Sequence, residues 1–219
     1  MIEQPDYAPG QTLLYTLRHG LTELNRSKRT GGRLDAPLID VGRRQAQEAS
    51  VNFDGTPLDV VIASSLQRAV ETAEIVTGWP RERLIIDDLA IERSFGDMEG
   101  LTQDEIHVRF PQVIYVPIEH VRYSLNPPGG ESFEALRARA RAFLEKTLGA
   151  HRGKRILVSS HQNFMQQLHA ELRGLDPYAA LRHDILNLEL NLFHLDTDDR
   201  LLGHRVYYLC PDASKYPSF

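Results

Sequence analysis

The residues Thr12-Leu13-Leu14-Tyr15-Thr16-Leu17 form an apolar run that stops abruptly at Arg18-His19-Gly20. Such a run reads as a buried strand whose end delivers a cation and an imidazole together to the edge of a sheet. In open α/β sheets, ligand sites gather at the carboxyl ends of strands. A histidine beside an arginine at that place suits attack on an anionic group, foremost a phosphate.

Along the rest of the chain, apolar runs alternate with amphipathic stretches, which predicts an α/β domain. Strands are expected at Thr12–Leu17, Leu58–Ala63, Leu84–Ile86, Arg155–Ser159, Leu188–Leu195 and His204–Leu209. Helices are expected at Asp40–Val51, Leu66–Thr77, Thr102–Phe110, Glu131–Leu148 and Asn163–Arg173. The Glu131 helix carries Phe133, Leu136, Ala140, Phe143, Leu144 and Leu148 as a helical stripe. Gly129-Gly130 breaks the chain just before it. The segment 111–128, rich in proline and aromatics, fits no clean period. It reads as an irregular lid or insertion on a single domain spanning residues 1–219.

Four runs end in polar groups able to share one pocket. Leu17 leads into Arg18-His19, and Ala63 into Ser64-Ser65-Leu66-Gln67-Arg68. Asp87-Asp88-Leu89-Ala90-Ile91 leads into Glu92-Arg93, and Val158 into Ser159-Ser160-His161. Two histidines, two arginines and a carboxylate thus emerge at matching points of a parallel-type sheet. Each alone has an ordinary explanation: a surface arginine, a surface ion pair, a histidine ending a strand. Their joint placement is what makes a site.

Bulk properties narrow the partners. At 42 % apolar and 25 % charged residues over 219 positions, the chain suits a soluble globular fold with a sizeable core. A net charge of −5 argues against nucleic-acid binding, which shows as a basic surplus. The single cysteine, Cys210, allows no intrachain disulfide and points to the reducing cytoplasm. No apolar run approaches the ~18 residues of a membrane span. Residues 1–10 carry no signal pattern. The expected partner is a small phosphorylated substrate, with a homodimer open through edge-strand pairing.

The chemistry these residues support is phosphoryl transfer. A neutral imidazole nitrogen can attack phosphorus and form a phosphohistidine, and His19 is the candidate nucleophile. Fixed cations aimed at the equatorial oxygens stabilise the group in flight. Arg18 and Arg68 suit this because a guanidinium forks onto two oxygens. His161, if protonated, adds a third positive donor; Asn25 supplies an amide and Thr22 a hydroxyl. The leaving alkoxide needs a proton, for which Glu92 is the candidate acid and later the base for water.

Other features lose this contest. His161 and His169, eight apart on an expected helix, share a face but lack a third ligand, so no metal or cofactor is expected. His107, His120, His151, His183, His194 and His204 are scattered and read as structural or solvent-facing. Gly31-Gly32 is no dinucleotide fingerprint. Ser64-Ser65 and Ser159-Ser160 lack the elbow of a serine hydrolase.

The stretch Leu17-Arg18-His19-Gly20-Leu21-Thr22-Glu23-Leu24-Asn25 resembles the R-H-G-x-[ST]-x-x-N signature of the histidine phosphatase, or phosphoglycerate-mutase-like, superfamily. The likeness continues through Asp35-Ala36-Pro37-Leu38, Gly42-Arg43-Arg44-Gln45-Ala46 and the stretch from Ser64 to Ala73. It runs on through Glu92 to Thr102, then Gly130-Glu131-Ser132 and the strand ending at His161. The resemblance implies a three-layer α/β/α sandwich with a mostly parallel sheet, helices on both faces and one antiparallel strand. It implies phosphohistidine formation on His19 without a metal, and phosphate binding by Arg18, Arg68 and His161 with help from Asn25. Proton transfer falls to Glu92.

Within that family, Thr22 resembles the phosphatase branch, whereas the glycolytic mutases usually carry serine there and tryptophan at the place of Leu24. The chain also lacks the lysine- and alanine-rich tail of those mutases. Most members read S-H-G where this chain reads Ser160-His161-Gln162-Asn163. A glutamine after the histidine resembles the fructose-2,6-bisphosphatase branch and adds Gln162 to the expected substrate contacts. That branch has a lysine near Gly129 and an arginine near Gln166, both missing here. The expected activity is hydrolysis of a small sugar-type or glycerate-type phosphate. A phosphoglycerate mutase, a sugar bisphosphatase, or a phospho-ligand sensor without turnover are the competing readings.

Overall fold

The computed structural model describes residues 2–3, 5–119 and 121–210. Six strands form the main sheet: β1 (Thr12–Arg18), β2 (Val60–Ala63), β3 (Ile85–Ile86), β6 (Arg155–Ser160), β7 (Glu189–Leu195) and β8 (Leu201–Tyr208). Between β3 and β6, two further strands, β4 (Tyr115–Ile118) and β5 (Val121–Ser124), pair antiparallel as a separate hairpin. The main sheet runs β3-β2-β6-β1-β7-β8. The pairs β3–β2, β2–β6 and β6–β1 are parallel, and β7 is antiparallel to both its neighbours.

Helices α2 (Asp40–Phe53) and α3 (Gln67–Thr77) cover one face of the sheet; α5 (Phe133–His151) and α6 (Gln162–Arg173) cover the other. The short α1 (Glu23–Arg26) and α4 (Gln103–Arg109) lie near the pocket mouth. Every residue of β1 is buried, because helices close both faces. Alternation along the strand sends Leu13, Tyr15 and Leu17 to the α2–α3 core and Leu14 to the α5–α6 core. Adjacent parallel strands end level: Arg18 pairs with Ser160, and Ala63 with Ser159. The backbone N–H groups of His19 and Ser64 then bond Ser160 and Ser159 carbonyls at 3.1 and 3.0 Å. Register therefore brings the three strand ends to one edge.

Local chemistry explains the helix starts. Ser132 caps α5, its hydroxyl accepting from Ala135 N–H at 3.2 Å. Thr102 and Glu105 form a reciprocal box that opens α4. Gly42 in α2 is required by crowding, since a Cβ there would lie 2.2 Å from the Leu21 carbonyl oxygen. That contact seats α2 directly beneath the turn that follows His19.

Two expectations need correction. The segment 111–128 is not wholly irregular: it holds the β4–β5 hairpin, whose period is hidden by Pro117 within β4 and by its shortness. Asp87–Ile91 does not continue a strand into Glu92. After the two-residue β3, Asp88–Ala90 form a 3-10 turn, capped by the Asp87 side chain on Leu89 N–H. The reading of His120 lies outside the described residues.

Candidate active site

The ends of β1, β2 and β6, the turn before Glu92 and the start of α6 surround a cavity of about 110 Å³. Arg18, His19, Arg68 and Glu92 all line it, although each is at least nine-tenths buried. The His19 and His161 rings face each other with centroids 5.1 Å apart. Every catalytic residue expected from the sequence is thus brought together.

His19 is oriented by its own loop. Its Nδ1 lies 2.7 Å from the Gly20 carbonyl oxygen. A carbonyl only accepts, so Nδ1 carries the proton and Nε2 keeps a lone pair. Asn187 Nδ2 donates to the His19 carbonyl at 2.6 Å, and Gly20 N–H to Thr72 Oγ1 at 3.0 Å, which fixes the backbone on both sides. Burial, then the charges of Arg68 and Arg18, hold the His19 pKa well below its ordinary value. The ring is neutral at physiological pH, the state a nucleophile needs.

Arg68, early in α3, donates from Nη1 to Leu34 O and from Nη2 to Gly32 O, both at 2.7 Å. Its Nε donates to His161 Nδ1 at 3.2 Å. The fork therefore grips the loop after α1, and one further N–H on each Nη remains for a ligand oxygen. Burial lowers its pKa to about 10, so it stays cationic. Arg18 is anchored through Nη1 to Ile185 O. Burial lowers its pKa too, opposed by Asp184 and Glu92.

His161 departs from one expectation. Its Nδ1 accepts from Arg68, so its proton sits on Nε2, which donates to Ser64 Oγ at 2.8 Å. Burial, then Arg68, His19 and Arg18, push its pKa well below the usual value. In this arrangement His161 is neutral rather than a third cation. It also does not share a helix face with His169, because it is the N-cap residue just before α6.

Glu92 is held by backbone donors. Oε1 accepts from Arg93 N–H at 2.8 Å and Phe164 N–H at 3.1 Å, and Oε2 from Asn163 N–H at 3.3 Å. Two of these come from the first turn of α6, where amides have no helical partner. Oε2 makes only that one long bond and has room for a transferable proton.

Thr22 is engaged within the protein, while Asn25 keeps the amide donor expected of it. The Thr22 N–H and hydroxyl both donate to Asn25 Oδ1, at 3.1 and 2.9 Å, closing a box at the start of α1. The Thr22 hydroxyl is thereby used internally, while Asn25 Nδ2 is left over to donate. Gln162 lines the cavity with its Nε2 bonded to Asp184 Oδ1 at 2.7 Å.

Several contributors escape sequence reasoning. Asn187, Asp184 and the Ile185 carbonyl sit in the irregular stretch before β7, which has no period to read. The segment expected as a lid, by contrast, forms the outer wall through the β4–β5 hairpin, with Tyr115, Arg122, Tyr123 and Ser124. On that side Ser124 Oγ, Tyr115 Oη and Asn163 Oδ1 are buried without hydrogen-bond partners. Among the described residues no group of three or more His, Cys, Asp or Glu is placed to hold a metal ion.

An α/β sandwich with two facing histidines, two clamped arginines and a carboxylate at its strand ends belongs to the class of phosphate-handling α/β proteins. Comparison makes the class specific. Residues 14–205 match the histidine phosphatase superfamily (branch 1), and the chain belongs to that family. Phosphoglycerate mutase-like protein 4 of Arabidopsis thaliana is 32 % identical over 201 residues, covering 90 % of this chain and 84 % of that one. A putative alpha-ribazole-5'-P phosphatase from Escherichia coli superposes with a TM-score of 0.78 at 25 % identity, covering 90 % of this chain and 96 % of the other. A mycobacterial glucosyl-3-phosphoglycerate phosphatase solved with VO3 gives a TM-score of 0.73 at 25 % identity, covering 89 % and 96 %. Members of the family are phosphatases or mutases.

Proposed function

We propose that this protein is a phosphomonoesterase that works through a phosphohistidine on a small phosphorylated metabolite. The observation that carries the reading is the His19 tautomer: Nδ1–H tied to Gly20 O aims an Nε2 lone pair at a site flanked by Arg18 and Arg68. His19 Nε2 attacks phosphorus, the P–O ester bond breaks, and the leaving oxygen takes a proton from Glu92. Glu92, now a carboxylate, takes a proton from water, whose oxygen attacks phosphorus. The P–N bond breaks, returning the lone pair to His19 Nε2 and releasing phosphate.

The arginines contribute fixed positive charge to the transferred group, worth more in a buried site than in water. An incoming phosphate dianion opposes the field of Arg18 and Arg68 and favours protonation of His161. The unpartnered Ser124, Tyr115 and Asn163 groups suit a hydroxylated leaving group of sugar or glycerate type. The volume of about 110 Å³ favours a compact one. Gln166 is bonded to Tyr123 Oη and the His183 carbonyl, both at 2.9 Å, and offers no cation for a second phosphate. Among the described residues no helix is long and apolar enough to cross a membrane. The single cysteine fits work in the reducing cytoplasm.

The resemblance to mutase-like relatives keeps a phosphoglycerate mutase as the second reading. Incubation with 3-phosphoglycerate separates the two: inorganic phosphate appears from a phosphatase, 2-phosphoglycerate from a mutase. Neither product from a panel of phosphorylated metabolites, together with tight phosphate binding, would leave a sensor.

A further inference from the structure

Glu92 stands on irregular backbone. The 3-10 turn that leads to it belongs to no ladder, so its carbonyls must find partners elsewhere. Ala90 O accepts from Ser160 Oγ at 2.6 Å, and the carbonyls of Leu89, Ile91 and Glu92 all meet one side chain, Arg139, on the second turn of α5. Its Nη1 donates to Leu89 O at 2.9 Å and Ile91 O at 2.6 Å; its Nη2 donates to Glu92 O at 3.2 Å. Arg139 also lies 5.4 Å from the ring of Phe164, the residue whose N–H holds Glu92 Oε1. One guanidinium therefore touches both the backbone of Glu92 and the segment that grips its carboxylate.

Arg139 is itself fixed. Glu131, just before α5, accepts from its Nε at 2.9 Å and its Nη2 at 2.7 Å, both side chains being mostly buried. Burial raises the Glu131 pKa, but Arg139 and Arg33 outweigh it and hold the carboxyl below its ordinary value. Glu131 Oε2 also accepts from Ser94 N–H at 3.4 Å, and its backbone pairs with Ser94 and with Arg93 Nε. Arg33, from the loop that clamps Arg68, donates to Glu92 O at 3.3 Å and to Glu131 Oε2 at 3.4 Å.

We infer that Arg139, locked by Glu131, is a positioning residue that holds the proton-donor Glu92 in register with His19 and the phosphate clamp. The inference rests on the proposed acid role of Glu92. A lysine has one compact ammonium and cannot span three carbonyls in a plane. Misplacement of a reacting group by about 1 Å can cost about 10²-fold in rate.

The test compares an alkyl phosphate with p-nitrophenyl phosphate, whose leaving group hardly needs a proton. Glu92→Gln sets the pattern expected for loss of the acid: the alkyl ester slows far more than the aryl one. Arg139→Lys should repeat that pattern in kcat, about 10- to 100-fold against less than about threefold, with KM nearly unchanged. In the Glu92→Gln background the same change should add little, because the two act on one step. Arg33→Met, at a half-exposed position with a single long bond to Glu92 O, should act in the same direction more weakly.

Equal slowing of both esters by Arg139→Lys, or a lower melting temperature with an unchanged alkyl-to-aryl ratio, overturns the inference while Glu92 keeps its role. If Glu92→Gln itself slows both esters equally, the acid reading falls and the inference with it. Should Arg139→Lys fail to fold, Arg33→Met carries the comparison, and an unchanged ratio there counts against it.

Discussion

Two groups of histidines meet β1 a single step apart. Leu14, Thr16 and Arg18 point to the same face by strand alternation. Arg18 serves the His19–His161 pair at the open strand end. Thr16 Oγ1 lies 2.8 Å from His169 Nε2, in a group with His183 and His204 at ring distances of 6.4 and 6.2 Å. In this second group His183 meets Glu189 at 2.8 Å, His204 bonds Asn191 at 2.9 Å and stacks on Phe193 at 4.3 Å. Its acceptors, carboxylate and aromatic faces come from the protein itself. In the first group the protein supplies cations and leaves a cavity. The difference is in what surrounds an imidazole: arginines beside a cavity leave a neutral nitrogen for chemistry, whereas polar partners and an aromatic face turn the ring into packing.

The sharpest way to break this contrast is His19→Ala. Turnover of p-nitrophenyl phosphate should fall by at least about 10³-fold with the fold intact, since the nucleophile itself is removed. Retained turnover would remove His19 from the chemistry. His161→Ala should cost about 10²- to 10³-fold in kcat, because it removes the ring that holds Arg68 Nε and that becomes a cation once phosphate is bound. A loss confined to KM would reduce it to a binding group. Glu92→Gln comes next, with about 10²-fold slowing of an alkyl ester and much less for the aryl ester.

On the other side of the comparison, His169→Leu should leave kcat within about threefold. It should lower unfolding free energy by about 1–3 kcal/mol, because it strands the buried Thr16 hydroxyl. Denaturant titration alongside steady-state assays separates these effects, and a collapse of activity at unchanged stability would join the two groups. The smallest effect is the one they share. His19, His161 and His169 have pKa values well below 6.5, and His204 lies at about 4, all through burial first. Below about pH 6.5 the unfolded chain binds protons that the native histidines refuse, so stability falls with falling pH. The part contributed by His204 is lost progressively as pH drops from 6.5 through about 4. A melting temperature flat from pH 7 to 4 would contradict buried, neutral rings.

Legibility from sequence divides along the same line. Regular elements announced themselves: β1, β6, α3 and α5 are found within a few residues of their expected bounds. Five catalytic candidates were readable because Arg18 ends β1, His19 and His161 directly follow β1 and β6, and Arg68 and Glu92 come a few residues after β2 and β3. The β4–β5 hairpin was not, since strands of four residues with a proline make no period. The His169 group was not, because its members lie on α6, on β8 and in the segment before β7, far apart in the chain. Nothing in the sequence singles out Arg139; only the packing of α5 against the Glu92 turn gives it three carbonyls to hold.

What the sequence determines by itself is the alternation of buried runs and amphipathic helices, and with it a sandwich whose strand ends carry arginine, histidine and glutamate. Its motifs also carry the family. What only the tertiary structure decides is the state of those groups: which His19 nitrogen bears the proton, that His161 is neutral, that Thr22 is spent on Asn25, and that Arg139 underpins Glu92. The reason is physical. Period and composition act locally along the chain. Proton positions and pKa values depend on burial and on charges brought within a few ångströms from strands and helices tens of residues away.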